Sequence, residues 1–194
     1  MEHCPICHSI LQSSEDGEAY TCSQQDCNYG SQSKKTLELC NALLSYSMME
    51  TLNLLVKFDD TKGAKMIFES FEAEQYLFKE LHIGIPNAPL DVDDYDVFFD
   101  SIMKRIMEGL ENNIPHVRLI TLDLLWGFNE SKWKEILPSL KDDESKEVSE
   151  RVRRSIRWNS LTVEEQKKEM EELRNQFPTD HETEESPGYG SLFG

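Results

Sequence analysis

Hydrophobic residues recur every three or four positions through most of the chain after residue 35. Spacing of this kind places apolar side chains on one face of an α-helix, so we predict a mainly α-helical protein. Asp59, Asp60 and Gly63 interrupt the pattern, which resumes in AKMIFESFEAEQYLFKEL. Because Cys40 belongs to the first series, we interpret it as a small buried hydrophobe. That series consists of Leu37, Cys40, Leu44, Met48, Leu52 and Leu55.

A break rich in Gly and Pro at residues 83–89 precedes an acidic stretch at residues 91–100. Its alternating aspartates suggest either a calcium-binding loop or the start of a helix. An EF-hand loop needs Gly at its sixth position and Glu at its twelfth. Counted from Asp91, those positions hold Asp96 and Ile102. We therefore predict a helix start, where carboxylates complement the helix dipole.

Four predicted helices that follow form two pairs, and the second pair repeats the first. DYDVFFDSIMKRIMEGLENN and IPHVRLITLDLLWGFN make one pair, and SKWKEILPSLKDD and ESKEVSERVRRSIRWNS make the other. Helix pairs that repeat at such a period are typical of solenoids, in which each pair is buried against its neighbours. At an offset of 30 to 31 residues, the matched positions are Leu110 and Leu140, Val117 and Val148, Thr121 and Val152, and Leu125 and Ile156.

The segments NNIPHVRLITLDLLWG and LPSLKDDESKEVSERVRRSIRW resemble HEAT-type repeats. That family has Leu, a short acidic turn and then Val-Arg opening the second helix of each pair. The resemblance covers residues 95–160 and implies a stack of helix pairs. Ser149 departs from it, since the family has Arg there, and the stretch before Asp91 matches poorly. An irregular helical bundle is the alternative.

LTVEEQKKEMEELRNQF predicts a last helix, in which Thr162 and Glu165 have the spacing of a capping box. Residues 178–194 contain few apolar groups, so we predict a disordered acidic tail. The apolar residues of segment 189–193, from Tyr189 to Phe193, are unusual in such a tail. Its SLF resembles the core of the peptides that bacterial replication proteins dock on the sliding clamp, but the leading Gln is missing. We favour a plain tail.

Four of the five cysteines form two close pairs near the N-terminus, Cys4-x2-Cys7 and Cys22-x4-Cys27. Two pairs about 15–20 residues apart are a known arrangement for one zinc ion, because each pair directs two thiolates to it. A short β-hairpin is predicted between them, with its turn at Gly17. CPICHSIL and AYTC resemble the zinc-ribbon family, which implies a structural Zn²⁺ bound by all four cysteines. The spacer SQQD is wider than the two residues usual in that family.

Other chemistries explain these cysteines less well. CPICH matches the haem-attachment pattern, but haem would leave Cys22 and Cys27 unexplained. A redox dithiol needs a neighbouring βαβ pattern, and disulfides need an oxidising compartment. His3 or His8 is an alternative ligand, although four thiolates already complete a tetrahedron. Because such a site has no open position for water, we predict a structural and not a catalytic metal.

The chain is strongly acidic, with 37 Asp and Glu against 20 Lys and Arg and a net charge of -17. This field disfavours nucleic acid and anionic membranes and favours a basic protein partner; simple solubility is the plainer explanation. No apolar run approaches the roughly 18 residues of a membrane span. The first residues lack the basic and apolar regions of a signal peptide, so we expect a cytoplasmic location.

Two further residue groups are candidate binding surfaces. The basic helix at residues 151–157 could bind an acidic peptide or a phosphate, but Glu147 and Glu150 stand four positions before two of its arginines. We therefore favour a solvent-exposed face with i,i+4 salt bridges. The tryptophans more often pack between repeats than bind partners. These residues are Arg151, Arg153, Arg154 and Arg157, with Trp126, Trp133 and Trp158.

We predict three regions: a zinc ribbon at 1–33, an α-helical HEAT-like domain at 34–177 and a tail at 178–194. No Ser-His-Asp order, phosphate-binding loop or dinucleotide motif indicates an enzyme. The main hypothesis is a protein-binding adaptor or inhibitor, with an immunity protein against a basic toxin or nuclease as one option. The alternatives are a nucleic-acid-associated replication or transcription factor, acting through the ribbon or the arginine helix, and an enzyme with an open metal site.

Overall fold

A small antiparallel sheet leads into a series of α-helices, which confirms the predicted fold class. The computed structural model describes residues 2–45, 47–72 and 92–176. The chain divides within its seventh described helix into compact units of residues 1–153 and 154–194. The strands are β1 (Leu11–Ser13), β2 (Ala19–Cys22) and β3 (Ser31–Ser33). The helices are α1 (Lys34–Leu44), α2 (Met48–Val56), α3 (Thr61–Glu72), α4 (Val92–Leu110), α5 (Pro115–Phe128), α6 (Glu130–Leu140), α7 (Lys146–Ser160) and α8 (Val163–Gln176).

The sheet has the order β1-β2-β3, with Leu11 opposite Cys22 and Tyr20 opposite Gln32. The predicted hairpin is therefore present, and β3 extends it. Gly17 in the turn between β1 and β2 has a φ of 72°, a left-handed conformation that glycine adopts without steric cost. The sequence analysis missed β3 because its three residues, SQS, carry no hydrophobic alternation.

The helical pattern after residue 35 forms two helices and not one. α1 ends at Leu44 and α2 begins at Met48. Ser45 and Ser47 lie between them, and serine is unfavourable inside a helix because its side chain competes for backbone hydrogen bonds. The buried face of α1 also differs slightly from the predicted stripe, since Leu39 is fully buried there. Cys40 is buried as predicted.

Asp60 joins the sheet to the helices. One of its carboxylate oxygens accepts hydrogen bonds from the hydroxyl groups of Ser33, at the start of α1, and Thr36, at 2.5 and 2.8 Å. The other oxygen accepts from the backbone N–H of Gly63 in α3 at 2.9 Å. Burial opposes ionisation of Asp60, but these hydrogen bonds outweigh it and lower the pKa of the carboxyl group. The short sheet is therefore anchored on α1 and α3.

Helices α1 to α5 pack on one another in an order that differs from the sequence order. α1 contacts α2, α2 contacts α4 and α3 contacts α5, while α4 also packs on α5. The end of α2 contacts the α4–α5 turn, because the side-chain amide of Asn112 donates to the carbonyls of Leu55 and Phe58 at 3.2 and 3.1 Å. Residues 48–72 therefore pack against the α4–α5 pair, although the sequence before Asp91 matched the repeat poorly.

The α4–α5 turn and the α6–α7 turn have the same hydrogen bonds at an offset of 31 residues. Asn112 Oδ1 accepts from the backbone N–H of Ile114 at 2.8 Å, and Asp143 Oδ1 accepts from that of Ser145 at 2.8 Å. Five residues after each of these two side chains, Val117 and Val148 are both buried. Val117 and Val148 therefore correspond as predicted: both are buried, and both follow turns with the same hydrogen bond.

A buried ion pair links the two turns. The guanidinium of Arg118 on α5 donates to Asp143 Oδ1 at 2.7 Å and to the backbone carbonyl of Asn112 at 2.6 Å. The side chains of Arg118 and Asp143 are only 6% and 9% exposed. Ser149 occupies the position equivalent to Arg118 in the second pair and bonds only within its own helix turn, to the carbonyl of Lys146.

The predicted capping box is present in the second compact unit. Thr162 N–H donates to Glu165 Oε2 at 2.7 Å, and Glu165 N–H donates back to the Thr162 hydroxyl at 3.3 Å. Four sequence predictions lie wholly or partly outside the described residues. They are the helical pattern of AKMIFESFEAEQYLFKEL after residue 72, the break at 83–89, the role of Asp91 and the nature of the tail at 178–194, including Tyr189 to Phe193. Within the described part of the chain, no helix has the length and apolar character needed to cross a bilayer.

Candidate metal centre

The two cysteine pairs lie in tight turns at one end of the sheet. In the first turn, the backbone N–H of His8 donates to the carbonyl of Cys4 at 2.9 Å. His8 has a φ of 60°, a left-handed conformation in which His is found more often than most residues. Cys22 is the last residue of β2, and Cys27 lies in the following turn, where its carbonyl accepts from Gly30 N–H at 3.1 Å. Hairpin pairing thus brings two distant turns together.

The four sulfur atoms form one compact cluster. All Sγ atoms of Cys4, Cys7, Cys22 and Cys27 lie within 4.8 Å of one another. Cys4 and Cys27 are 3.7 Å apart, Cys7 and Cys22 are 3.4 Å apart, and all of these cysteines are free thiols. Zinc–sulfur bonds of ~2.3 Å in a tetrahedron require sulfur–sulfur distances of about 3.8 Å. The donor set and its spacing therefore fit one tetrahedral metal ion.

Burial raises the pKa of Cys4 and Cys27 and so disfavours the thiolate form that a metal requires. Backbone hydrogen bonds oppose this effect in part: the N–H groups of Cys7 and Ile6 donate to Cys4, and that of Tyr29 donates to Cys27. A bound cation would reverse that effect, because it stabilises thiolates where water cannot.

Cys7 differs from the other three cysteines in its surroundings. Desolvation opposes its ionisation, but hydrogen bonds from the side chain and backbone of Ser9 lower the pKa of Cys7 to about 6. Cys7 is exposed, whereas Cys4 and Cys22 are buried and Cys27 is half-buried. The cluster therefore has one solvent-facing sulfur and three that the fold covers.

Other candidate ligands lie apart from the cluster. His3 Nδ1 is 3.0 Å from the carbonyl oxygen of His8, and neither imidazole joins the four sulfur atoms. Cys40 is buried in α1, and burial raises its pKa to about 12. No second group of metal-ligating side chains occurs among the residues that the structure describes. The hydroxyl of Tyr29 and Oε1 of Gln32 are buried within this module and have no hydrogen-bond partner among the residues that the structure describes.

Within the described residues, three of the four arginines of α7 form salt bridges, but neither predicted i,i+4 pair is present. Arg151 contacts Asp123 on α5 at 3.3 Å, and Arg153 contacts Asp142 at 3.2 Å. Within the second unit, Arg157 contacts Glu169 at 3.1 Å. The i,i+4 pairing of Glu147 with Arg151 was wrong in detail: Glu147 Oε2 lies 3.3 Å from His116 Nε2, and Glu150 pairs with Lys146. Arg151 and Glu147 therefore pair with residues of α5 and not with each other.

Two of the three tryptophans pack between helices, as predicted. The rings of Trp126 on α5 and Trp133 on α6 have centroids 6.4 Å apart and an interplanar angle of 56°. Trp133 is 9% exposed, and its indole N–H has no hydrogen-bond partner in the described part of the chain. These side chains therefore contribute to the core between α5 and α6.

Comparisons with known proteins give no relative: no family model, no curated protein and no solved structure matches the chain.

Proposed function

We propose that the protein is a non-enzymatic adaptor or inhibitor that binds another protein through an acidic helical-repeat surface, and that a structural Zn²⁺ holds its N-terminal ribbon. Soft thiolate ligands suit zinc, although copper(I) and iron also accept them. Four cysteines leave a zinc ion no open position for an activated water. The metal therefore serves the fold, and binding is assigned to the helices. Elemental analysis of the purified chain tests the metal's identity.

The observation that carries this proposal is the repeated turn. Asn112 and Asp143 accept equivalent hydrogen bonds in the turns that precede α5 and α7, and Arg118 links one turn to the next. These equivalent turns, 31 residues apart, support a HEAT-like repeat. Such stacks present extended surfaces, which these proteins use to bind partners.

Electrostatics favour a basic protein as the partner. The chain carries a net charge of -17. Several exposed carboxylates of the helical region have no ion pair among the described residues, and these are Glu38, Glu50 and Asp100 on helices and Glu111 in the α4–α5 turn. By contrast, Arg151, Arg153 and Arg157 contact carboxylates of the chain itself, which weakens the alternative of a phosphate-binding arginine helix. An immunity-type inhibitor of a basic toxin or nuclease is one form of this function.

The proposal is tested by capturing partners with two variants of matched charge. One variant neutralises the helical carboxylates (Glu38→Gln, Glu50→Gln, Asp100→Asn, Glu111→Gln), and the other neutralises four carboxylates of the ribbon (Glu2→Gln, Glu15→Gln, Glu18→Gln, Asp26→Asn). Each immobilised, zinc-loaded chain is incubated with an extract of the source organism, and bound material is eluted with salt and identified by mass spectrometry. The recovered protein is then purified and titrated against each variant.

We expect a basic protein that the wild type and the ribbon variant bind equally. The helical variant should bind it about tenfold more weakly, which corresponds to about 1.4 kcal/mol. Equal weakening by both variants would show that only the overall charge matters, and selective loss in the ribbon variant would move the binding surface to the ribbon. Recovery of nucleic acid without protein would contradict the proposal and favour the nucleic-acid-associated alternative.

A further inference from the structure

The four cysteines of the metal centre differ in access to solvent, although they are equivalent as ligands. Cys7 lies at the tip of its turn and is exposed, while its neighbour in space, Cys22, is buried at the end of β2. Their sulfur atoms are 3.4 Å apart. A soluble oxidant therefore reaches Cys7 first, and a second thiolate is already within contact distance of the product.

We propose that Cys7 is an oxidation site for hydroperoxides, that Cys22 is its resolving cysteine, and that the resulting disulfide releases the bound metal. This inference rests on the proposed metal centre but not on the proposed protein partner. It makes metal binding by the ribbon sensitive to oxidants, a property that four equivalent ligands would not by themselves predict.

The chemistry balances in two steps. The Cys7 thiolate attacks the peroxide O–O bond and, with one proton, forms a sulfenic acid and releases water or an alcohol. The Cys22 thiolate then attacks the Cys7 sulfur, and the hydroxyl leaves as water after taking a second proton. Overall, two thiolates lose two electrons, and the hydroperoxide gains them. Only Cys4 and Cys27 would then remain as thiolate ligands, too few for a structural zinc site.

The hairpin makes Cys22 a better resolving group than its position in the sequence suggests. Cys4 is only three residues from Cys7, but it is completely buried and its sulfur lies 3.7 Å from that of Cys27. β-pairing of Leu11 with Cys22 holds β2 beside the strand that follows the first turn. The geometry therefore favours bonds across the two turns, Cys7 with Cys22 and then Cys4 with Cys27.

The experiment treats the zinc-loaded full chain with hydrogen peroxide and follows three signals. A chromogenic chelator measures zinc release, dimedone traps sulfenic acid at early times, and non-reducing peptide mapping identifies the disulfides. Residues 1–33 contain no Lys or Arg, so trypsin cannot separate the cysteines. Proteases specific for Asp and Glu cut at Glu15 and Asp26, and fragmentation within the peptide then distinguishes Cys4 from Cys7. The Cys40→Ser variant serves as the control, since Cys40 lies outside the cluster.

We expect dimedone on Cys7 at about five times the level of any other ligand, followed by about one zinc released per Cys7–Cys22 bond. The Cys40→Ser variant should give the same products. Dimedone first on Cys4, Cys22 or Cys27, a Cys4–Cys7 bond, or retention of zinc under excess peroxide would overturn the inference while leaving the metal centre intact. A chain that binds no metal before oxidation would overturn both.

Discussion

The ribbon and the helical hairpins are stabilised by different means. Within residues 2–33 the buried apolar side chains are few: Cys4, Pro5, Leu11, Cys22 and Tyr29. Helices α1 to α6 instead bury long series of Leu, Ile and Val, including the fully buried Leu52, Ile106 and Leu125. A module with so small a core cannot offset the entropy of folding by hydrophobic burial alone. The proposed metal and the anchor to α1 and α3 would supply the stability that the core of residues 2–33 does not, whereas the helices are stabilised by packing.

Charge is also distributed differently in the two regions. Residues 1–33 contain five acidic residues and no Lys or Arg. Four thiolates around a divalent ion would add further negative charge. Many carboxylates of the helical region are paired, from Asp59 with Lys35 to Glu172 with Lys168. In residues 1–33 a bound cation would therefore have to offset the mutual repulsion of the negative groups, whereas in the helical region Lys and Arg side chains offset part of it.

Removal of the metal should have the largest effect and should separate the two regions. Structural zinc contributes about 10–16 kcal/mol to the folding of small zinc modules. We expect chelation, or Cys22→Ser, to abolish hydrogen-exchange protection in β1 and β2 while the backbone amides of α4 and α5 remain protected. Hydrogen exchange with and without chelator measures both regions in one sample.

Cys40→Ala provides the control for this prediction, because it removes a cysteine without removing a ligand. It should bind one equivalent of metal and lose only a fraction of the stability through its small cavity. Equal loss of protection in the sheet and in α4 and α5 after chelation would show that the helices depend on the metal as well.

Loss of the buried ion pair between the helix turns should have the next largest effect. In Arg118→Met the carboxylate of Asp143 remains buried without its partner, a change that typically costs about 3–5 kcal/mol. Denaturant unfolding of the metal-loaded chain measures the difference in free energy. The ribbon should keep its metal, since this pair lies among the helix turns.

The equivalent turn supplies the matched rescue. In the turn before α5 an uncharged amide, Asn112, accepts the hydrogen bond that the carboxylate of Asp143 accepts in the turn before α7. Adding Asp143→Asn to Arg118→Met keeps this turn hydrogen bond and removes the unpaired charge, so we expect most of the stability to return. A single variant that loses less than about 1 kcal/mol would mean that water reaches Asp143 after the substitution.

Periodic and local features of the sequence predicted most of the fold and the whole sulfur cluster. Helical spacing identified the helices, and the two cysteine pairs predicted one cluster because turns of this length leave little freedom. The equivalence of Val117 and Val148 also followed from the repeat. These predictions succeeded because each rests on residues close together in the chain or on a repeated pattern.

Features that depend on tertiary contacts could not be predicted. Arg151 bonds to Asp123, 28 residues away, and not to the residue four positions earlier. The break between α1 and α2 lacks the Gly or Pro that usually marks one. Asp60 was identified only as a helix breaker, whereas it joins Ser33, Thr36 and Gly63. In each case, partners distant in sequence decide the role.

A smaller effect is expected where the sheet meets the helices, at Gly63 of α3. A Cβ atom there would lie 1.8 Å from the Thr36 hydroxyl oxygen on α1, so the two helices would have to separate. Overpacking of this kind costs about 1–3 kcal/mol. We therefore expect Gly63→Ala to lower the free energy of unfolding and to weaken metal retention, because the same helices anchor the ribbon. Denaturant unfolding and a competition assay with a chelator measure the two effects.

Gly127 in α5 is the matched position, since it is also a helical glycine but is exposed, and a Cβ atom added there would have no atom within 4 Å. Alanine at this position should stabilise the helix by about 0.5–1 kcal/mol and leave metal retention unchanged. Both substitutions add one methyl group to a helical glycine. Changes of opposite sign in the free energy of unfolding would therefore be due to the close approach of α1 and α3 at Gly63. If Gly63→Ala were also stabilising, the contact between the ribbon's anchor helices would have to be looser than 1.8 Å implies.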